Sequence, residues 1–257
     1  MCKDKITPLV DYPSSSESSS NDGLGYEGGG ERNLSFALDD FAGSPVDMGH
    51  VSGGWAGHVY LAVKESAGLR RISQACIDEI CRRSDGDAGT SKAETAERGQ
   101  TSAIGRDVSS RVRRVEEPHV SLTRVFYLQE HEISGFVEML EKAVLAANRG
   151  AFAVGFSKAS VYANEAGSRE FVGLDIGVGE ERVAMLVGAV NWVMRRFGKE
   201  PFFSNARFHV SVVRAEGKAM IRNALGQAMQ EEILALPAVQ IDQLECVFGN
   251  RRYCIAL

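Results

Sequence analysis

The chain has 257 residues, of which 44% are hydrophobic and 25% are charged, and its net charge is −5. This length and apolar content suffice for one large or two small domains with a buried core. No apolar run is long enough to span a membrane, and the first residues show no signal-peptide core. We therefore expect a soluble intracellular protein, which excludes membrane partners.

The N-terminal region, residues 1–49, is acidic and rich in Ser and Gly, with runs such as SSSESSS and GYEGGGE. It shows neither helical nor strand periodicity, so we predict that it is disordered. Residues 1–50 carry a net charge of −6, which leaves about +1 for residues 51–257. The second part therefore lacks the strongly basic average of many RNA-binding proteins, and this favours weak binding or a short substrate.

Residues 50–257 show alternating strand-like and helical patterns. Strand-like runs start at Gly57, His119, Phe152, Glu170, Arg207, Val239 and Arg252. Helical spacing of apolar residues predicts four amphipathic helices, over Leu69–Ile80, Ile133–Val144, Val183–Phe197 and Ile221–Leu236. Gly249-Asn250 predicts the turn of a final hairpin, and the polar stretch at about 84–102 is predicted to be a surface insertion.

This order of elements predicts an α+β fold, with mostly antiparallel sheets covered by helices. Two runs that contain histidine, at His119 and at His209, lie on either side of the middle helices. We therefore expect two pseudo-symmetric lobes that flank a central catalytic groove.

The tripeptide His-Val-Ser occurs twice, at His119-Val120-Ser121 and at His209-Val210-Ser211. In a strand, residues i and i+2 share a face, so each histidine stands beside its serine. The intervening valines point to the opposite face and anchor each strand to a core. The repeat therefore predicts that two imidazoles and two hydroxyls line one site.

Two imidazoles can supply a general base and a general acid without a metal. Together with two hydroxyl donors they suit phosphodiester transfer through a neighbouring ribose 2′-OH, in which charge builds on the phosphate oxygens. The alternative is a pair of buried histidines, each bonded to a neighbour. No histidine has metal-ligand spacing with another His, Cys or carboxylate, and the cysteines form no Cys-x-x-Cys pair, so we expect neither a metal nor a cofactor.

The paired motifs resemble those of the two-histidine phosphoesterase superfamily, which carries one His-x-Ser/Thr motif in each of two lobes that face a cleft. Within it, the chain is similar to the U6 small nuclear RNA phosphodiesterase family over about residues 50–257, with the 84–102 insertion outside the resemblance. The segments that carry this likeness are GGWAGHVYLAV, HVSLTR, SVYANEAGSREFVGLDI, FFSNARFHVSVV and CVFGNRRYCIAL. In the first of these, we expect Trp55 and His58 to be core residues.

The resemblance implies a metal-independent nuclear 3′→5′ exoribonuclease that trims the uridine or adenosine tail of U6 RNA. Such an enzyme leaves a 2′,3′-cyclic phosphate or a 3′-phosphate. By position, His209 would be the base that takes the 2′-OH proton, and His119 the acid that protonates the leaving 5′ oxygen. Ser121 and Ser211 would hydrogen-bond the phosphate oxygens.

The resemblance also implies a nucleotide pocket. Residues Arg207 to Ser211, including Val210, would line the phosphate site with backbone and side-chain groups. Phe203 would stack on the terminal base, and Glu165 stands where a relative carries Gln. Tyr162 and Asn164 would either shape the pocket wall or serve in packing.

The same residues are also compatible with two other functions. The same residues could open a 2′,3′-cyclic phosphate, as in a cyclic phosphodiesterase or end-healing enzyme. A cleft that holds a nucleotide or an RNA end without turnover would instead be a binding module. In each case the expected partner is an RNA 3′ end, and the protein is expected to be a monomer in the nucleus.

Overall fold

The computed structural model describes residues 53–90, 110–147, 150–164, 167–217, 221 and 225–257. Its strands, in chain order, are β1 (Gly54–Ala62), β2 (Val112–Arg114), β3 (His119–Ser121), β4 (Phe126–Gln129), β5 (Phe152–Val154), β6 (Phe156–Ala163), β7 (Arg169–Ile176), β8 (His209–Glu216), β9 (Val239–Ile241), β10 (Gln243–Phe248) and β11 (Arg251–Ala256). The helices are α1 (Ala67–Thr90), α2 (Glu130–Ala147), α3 (Glu180–Arg196) and α4 (Gln227–Leu234). All strand pairs among these residues are antiparallel, which confirms the predicted α+β class.

The first sheet combines strands from both ends of the described chain. Its order is β11-β10-β1, and both β3 and β4 pair with the other edge of β1. The run from His119, which the pattern predicts as one strand, is thus two short strands. Gly249 adopts the left-handed φ of +56° in the β10–β11 turn, as expected for a hairpin turn glycine.

The second sheet has the order β2-β8-β7-β6. A register shift interrupts the pairing of β7 with β8 between Val172 and Gly173, where β8 carries an extra residue. Beyond this bulge, Gly173 faces Ser211 and Asp175 faces His209. A separate pair, β5 with β9, forms a small third sheet.

The predicted apolar stripes of the helices form the core. Leu69, Ile72, Cys76 and Ile80 of α1 are all at most 2% exposed. Helices α2 and α3 pack against each other, and α1 packs against α4 and against strands β2 and β8 of the second sheet. Helix α2 also contacts strand β4 of the first sheet, so each large sheet has a helix packed against it.

Two predicted helices have different limits in the structure. Helix α4 starts only at Gln227, after Gly226, so Ile221 and Leu225 precede it. Helix α1 continues to Thr90 and thus includes the start of the polar stretch at 84–102. Residues 91–109 and the predicted disordered region 1–49 lie outside the described residues.

The segment from β2 to β3 runs directly from one large sheet to the other. Strand β2 pairs with β8 of the second sheet, and Val115 N–H then donates to Val212 O over 3.0 Å. Strand β3, which follows directly, pairs with β1 of the first sheet. The strand with the first His-Val-Ser motif is therefore held beside the strand with the second motif.

Candidate active site

The two His-Val-Ser motifs occupy the strands that the pattern predicts. His119 and Ser121 lie on β3, and His209 and Ser211 lie on β8, with β3 packed next to β8. The valines at the centre of both motifs are fully buried in the core. The period of two residues thus places both histidine and serine pairs on the polar faces of their sheets.

Both histidines have the same backbone contact at the same ring atom. Nδ1 of His119 lies 2.8 Å from the carbonyl oxygen of Glu117, and Nδ1 of His209 lies 2.8 Å from that of Arg207. A carbonyl oxygen only accepts hydrogen bonds, so Nδ1 must carry the proton and donate it. In each neutral ring Nε2 is therefore the unprotonated atom, which can take up a proton from a substrate.

The surroundings of His209 keep its imidazole neutral near pH 7. Burial lowers the pKa of His209 to about 4, an effect that His119 and the Arg207 guanidinium strengthen. The bond to the Arg207 carbonyl and the Asp175 carboxylate act in the opposite direction. A neutral imidazole with Nε2 available is the form that a general base requires.

A stacked tyrosine supports the His209 ring. The ring centroids of Tyr162 and His209 are 3.8 Å apart and the rings are inclined by only 13°. Tyr162 is 2% exposed, so it lies under the site and is not a wall that a nucleotide could touch. Gly173 makes room for this stack, because a Cβ there would come within 2.7 Å of both rings.

Two buried rings of β1 surround His119. The centroid of Tyr60 lies 4.9 Å from that of His119, and the centroid of His58 lies 5.6 Å from it in an edge-on arrangement. His58 is 1% exposed, as predicted for a core residue, and among the described residues neither of its ring nitrogens has a hydrogen-bond partner. Burial, with a smaller effect of His119, lowers the pKa of His58 to about 3.

Arg207 and Val210 contribute to the site differently from each other. The Arg207 guanidinium bonds to the Asp175 carboxylate and to Ser160 Oγ, while its carbonyl orients His209. The Val210 side chain is fully buried, so only its backbone could contact a nucleotide. Their predicted role in nucleotide binding stays a prediction.

Phe203 lies in the loop between α3 and β8 and is partly exposed. The Arg124 guanidinium stands 3.8 Å from the centroid of its ring, and Phe202 meets it edge-on at 5.3 Å. Arg124 follows β3 and Phe203 precedes β8, so this contact joins the loops next to the two histidine strands. Its position is compatible with the predicted stacking on a base.

The remaining predicted pocket residues have other positions. Glu165 lies outside the described residues. The side chain of Asn164 is bonded to Ser168 and to the backbone of Arg169, so it closes the β6–β7 turn. Asn164 therefore serves in packing, which was one of the two predicted alternatives.

Sequence patterns missed several side chains around the histidines, chiefly Tyr60, Glu245, Arg252, Asp175, Ser160 and Arg124. A signal for two of them exists, because Glu245 and Asp175 interrupt otherwise apolar strands. A carboxylate in a buried strand is expected to have a partner. Among the described residues, no group of three His, Cys, Asp or Glu side chains could hold a metal ion, and no helix could span a membrane.

Comparisons with known proteins agree with this fold. U6 snRNA phosphodiesterase 1 of Mus musculus is 26% identical over 217 residues, which cover 81% of this chain and 71% of the mouse protein. The Homo sapiens protein of the same name is 28% identical over 156 residues, or 57% of this chain and 58% of the human protein. This chain thus matches less than two thirds of the human relative.

The structure of Kluyveromyces marxianus Usb1 superposes with a TM-score of 0.54 at 15% identity, covering 80% of this chain and all of Usb1. Usb1 with uridine monophosphate gives a TM-score of 0.51 at 14% identity, covering 79% of this chain and 98% of Usb1. These matches show a shared fold, and together with the relatives they confirm the predicted resemblance. The family model described as "HVSL: Uncharacterised conserved protein" matches residues 12–256, and the chain therefore belongs to the HVSL family.

Proposed function

We propose that this protein is a phosphodiesterase that shortens the 3′ end of U6 small nuclear RNA. The observation that carries the proposal is the pair of histidines on adjacent strands, each with its Nδ1 proton donated to a backbone carbonyl, so that Nε2 is the nitrogen that exchanges a proton with the substrate. The names of the relatives and the shared fold with Usb1 support the substrate.

In the proposed reaction, His209 Nε2 takes the proton from the 2′-OH of the penultimate nucleotide. The 2′ oxygen then bonds to the phosphorus, and the bond from phosphorus to the 5′ oxygen of the last nucleoside breaks. His119, as the imidazolium, protonates that leaving oxygen. The products are an RNA with a 2′,3′-cyclic phosphate and a nucleoside with a free 5′-OH.

The serines and the adjacent aromatic residue have supporting roles in this proposal. The hydroxyls of Ser121 and Ser211 would donate hydrogen bonds to the nonbridging oxygens, where charge builds in the transition state. Phe203 would stack on the terminal base, a contact worth about 1–3 kcal/mol that tolerates different bases. A later attack by water, with the histidine roles reversed, would convert the cyclic end into a 3′-phosphate.

The test is an incubation of the purified protein, in EDTA, with a short RNA that ends in a uridine run with a free 3′ diol. We expect stepwise shortening, and mass spectrometry of the products will distinguish cyclic from opened ends. His119→Ala and His209→Ala should each reduce the rate about 100- to 10,000-fold, the range for loss of a general acid or base. His131→Ala is the matched control, because this histidine is exposed at the start of α2.

A second substrate tests the nucleophile. An RNA with a 2′-deoxy penultimate nucleotide should not be cut, and normal cleavage of it would contradict attack by the 2′-OH. Intact RNA together with opening of a supplied 2′,3′-cyclic end would instead identify a cyclic phosphodiesterase. Inertness toward both substrates would indicate a binding module.

The cellular setting follows from the substrate. A protein that acts on U6 RNA is proposed to work in the nucleus, which microscopy of the tagged protein can check. A monomeric state is also proposed, and sedimentation of the purified chain will measure it.

A further inference from the structure

In each large sheet, a tyrosine whose ring lies against the motif histidine donates its hydroxyl proton to a buried carboxylate. In the second sheet, Tyr162 Oη donates to Asp175 Oδ1 over 2.5 Å. In the first sheet, Tyr60 Oη donates to Glu245 Oε2 over 2.6 Å. Both tyrosines are 2% exposed and both carboxylate residues are 5% exposed, so these bonds are shielded from water.

An arginine completes each arrangement. The Arg207 guanidinium pairs with Asp175, and Arg252 Nη1 lies 3.3 Å from Glu245 Oε2. A further neutral donor holds each carboxylate: Ser160 Oγ donates to Asp175 over 2.8 Å, and the Gln243 side-chain amide donates to Glu245 over 2.9 Å. Buried carboxylates with this many donors have a fixed position.

The two sheets use the same parts in a different order. In the second sheet the carboxylate is next to the histidine, because Asp175 of β7 pairs directly with His209 of β8, and Tyr162 lies on the following strand, β6. In the first sheet the tyrosine is next to the motif, because Tyr60 of β1 pairs with Ser121, and Glu245 lies one strand further, on β10. Asp175 therefore acts directly on His209, whereas Glu245 acts on His119 through Tyr60.

We propose that Tyr162 and Asp175 are positioning residues for His209, and that Tyr60 and Glu245 are positioning residues for His119. The stacked Tyr162 ring fixes the plane of the His209 imidazole, and the tilted Tyr60 ring packs against the His119 imidazole. In each sheet the tyrosine hydroxyl and the arginine fix the carboxylate. This inference rests on the proposed function only in assigning a reaction to the two histidines.

The asymmetry between the sheets fits the two proposed roles. A base gains a positive charge during the reaction, and a carboxylate on the adjacent strand stabilises that charge. His209 has such a neighbour in Asp175. His119 starts as the cation and loses its charge, so a more distant carboxylate suits it.

The titration of His209 depends on groups from four parts of the fold. The charged and titratable residues that act on it or on its carboxylate are Asp175 on β7, Tyr162 and Lys158 on β6, Arg207 in the preceding loop and His119 on β3. Asp175 favours the imidazolium, while Arg207 and His119 disfavour it. Removing the charge of Asp175 should therefore lower the pKa of His209, and removing the charge of Arg207 should raise it.

The experiment is an NMR titration of the full chain with ¹⁵N-labelled histidine, with the signals assigned through single-histidine variants. We expect Asp175→Asn to lower the pKa of His209 by about one unit or more, as for loss of an adjacent opposite charge. Arg207→Gln should raise it. Glu245→Gln should leave His209 unchanged and lower the pKa of His119 by a smaller amount.

The control is Asp242→Asn, which removes an exposed carboxylate paired with Lys64 and should shift neither histidine. Arg207→Gln also covers the case in which Asp175→Asn does not fold, because the Arg207 side chain is 35% exposed. An unchanged His209 titration in both variants, or shifts of the same sign, would overturn the proposal.

Activity measurements add a second readout. In Asp175→Asn the kcat/KM at pH 7 should fall about tenfold, and the acid limb of its pH profile should move to lower pH with the His209 pKa. If the wild-type protein cuts no RNA, the proposed function fails, but the histidine shifts still decide the positioning role. The two failures are thus distinguishable.

Discussion

At the scale of single residues, strand periodicity was sufficient to place the two histidines and their serines but insufficient to find the side chains that pack around them. Because side chains alternate along a strand, the sequence alone predicts that His209 and Ser211 share a face. The stack of Tyr162 on His209 depends on the pairing of three strands and on a β-bulge, and a local sequence pattern predicts neither of these. The role of Gly173 beneath that stack could not be predicted for the same reason.

Gly173→Ala provides a test at this scale. The added Cβ would come within 2.7 Å of His209 Cδ2 and of the Tyr162 ring, so the imidazole must shift. A displacement of about 1 Å at a catalytic group can cost about a hundredfold in rate, and we expect a loss of that order in RNA cleavage by a folded protein.

The matched control is Gly188→Ala on α3, where an added Cβ meets no atom of the described part of the chain within 4 Å. Its activity should be unchanged, and its stability should rise by roughly 0.5–1 kcal/mol because alanine favours the helix. Equal activities of the two variants would show that the stack does not orient His209.

At the scale of elements, apolar spacing identified the helices and strands, and their limits followed from local backbone features. Helix α3 ends where Gly198 adopts a left-handed φ of +64°, the conformation that glycine favours just after the C-terminus of a helix. The interruption between β3 and β4 was not predicted, since the run HVSLTRVFYL is apolar enough for one strand. In the interruption, Leu122 N–H donates to Val59 O, and Thr123 Oγ1 accepts from Val59 N–H over 3.0 Å.

The Thr123 hydroxyl thus takes the place of a backbone carbonyl as the acceptor for Val59 N–H. Thr123→Val tests how much this hydrogen bond contributes to stability. The variant keeps the shape of the residue but leaves a buried N–H unsatisfied, which costs about 1–3 kcal/mol. Urea unfolding will measure the loss. Thr123→Ser retains the hydroxyl and should lose clearly less, and similar losses in the two variants would argue that packing of the methyl group matters more than the bond.

At the scale of the whole molecule, the sequence predicted two sheets with one motif each but not which strands join them. The first sheet takes β1 from one end of the described chain and β10 and β11 from the other, and these pairings are long-range. The helices also cross over, because α1 follows a strand of the first sheet and covers the second. Such pairings depend on which apolar faces fit together, and a single sequence does not reveal this.

Because two histidines are held neutral by burial, the free energy of unfolding of the whole protein depends on pH. The pKa is about 3 for His58 and about 4 for His209, below the value of about 6.5 expected in the unfolded chain. Between these values the unfolded state binds protons that the folded state does not, so stability falls as the pH drops below about 6.5.

Urea unfolding at pH 6.5 and at pH 5 should show this loss as a lower free energy of unfolding at pH 5. His58→Phe should make the difference between the two pH values smaller by about 2 kcal/mol. His131→Ala, at an exposed position, should leave the loss unchanged. If His58→Phe shows the wild-type dependence on pH, then His58 takes up its proton equally in both states.

The segment that connects the sheets also has a consequence for ligand design. His119 follows Val115 by four residues, and His209 precedes Val212, which accepts the Val115 N–H, by three. A residue spans at most about 3.6 Å, so roughly 14 Å of backbone limits how far His119 can move from that anchor. The covalent connection therefore sets an upper limit on how far the two motifs can separate, and we expect a stiff inhibitor that contacts both imidazoles to be accommodated within that limit.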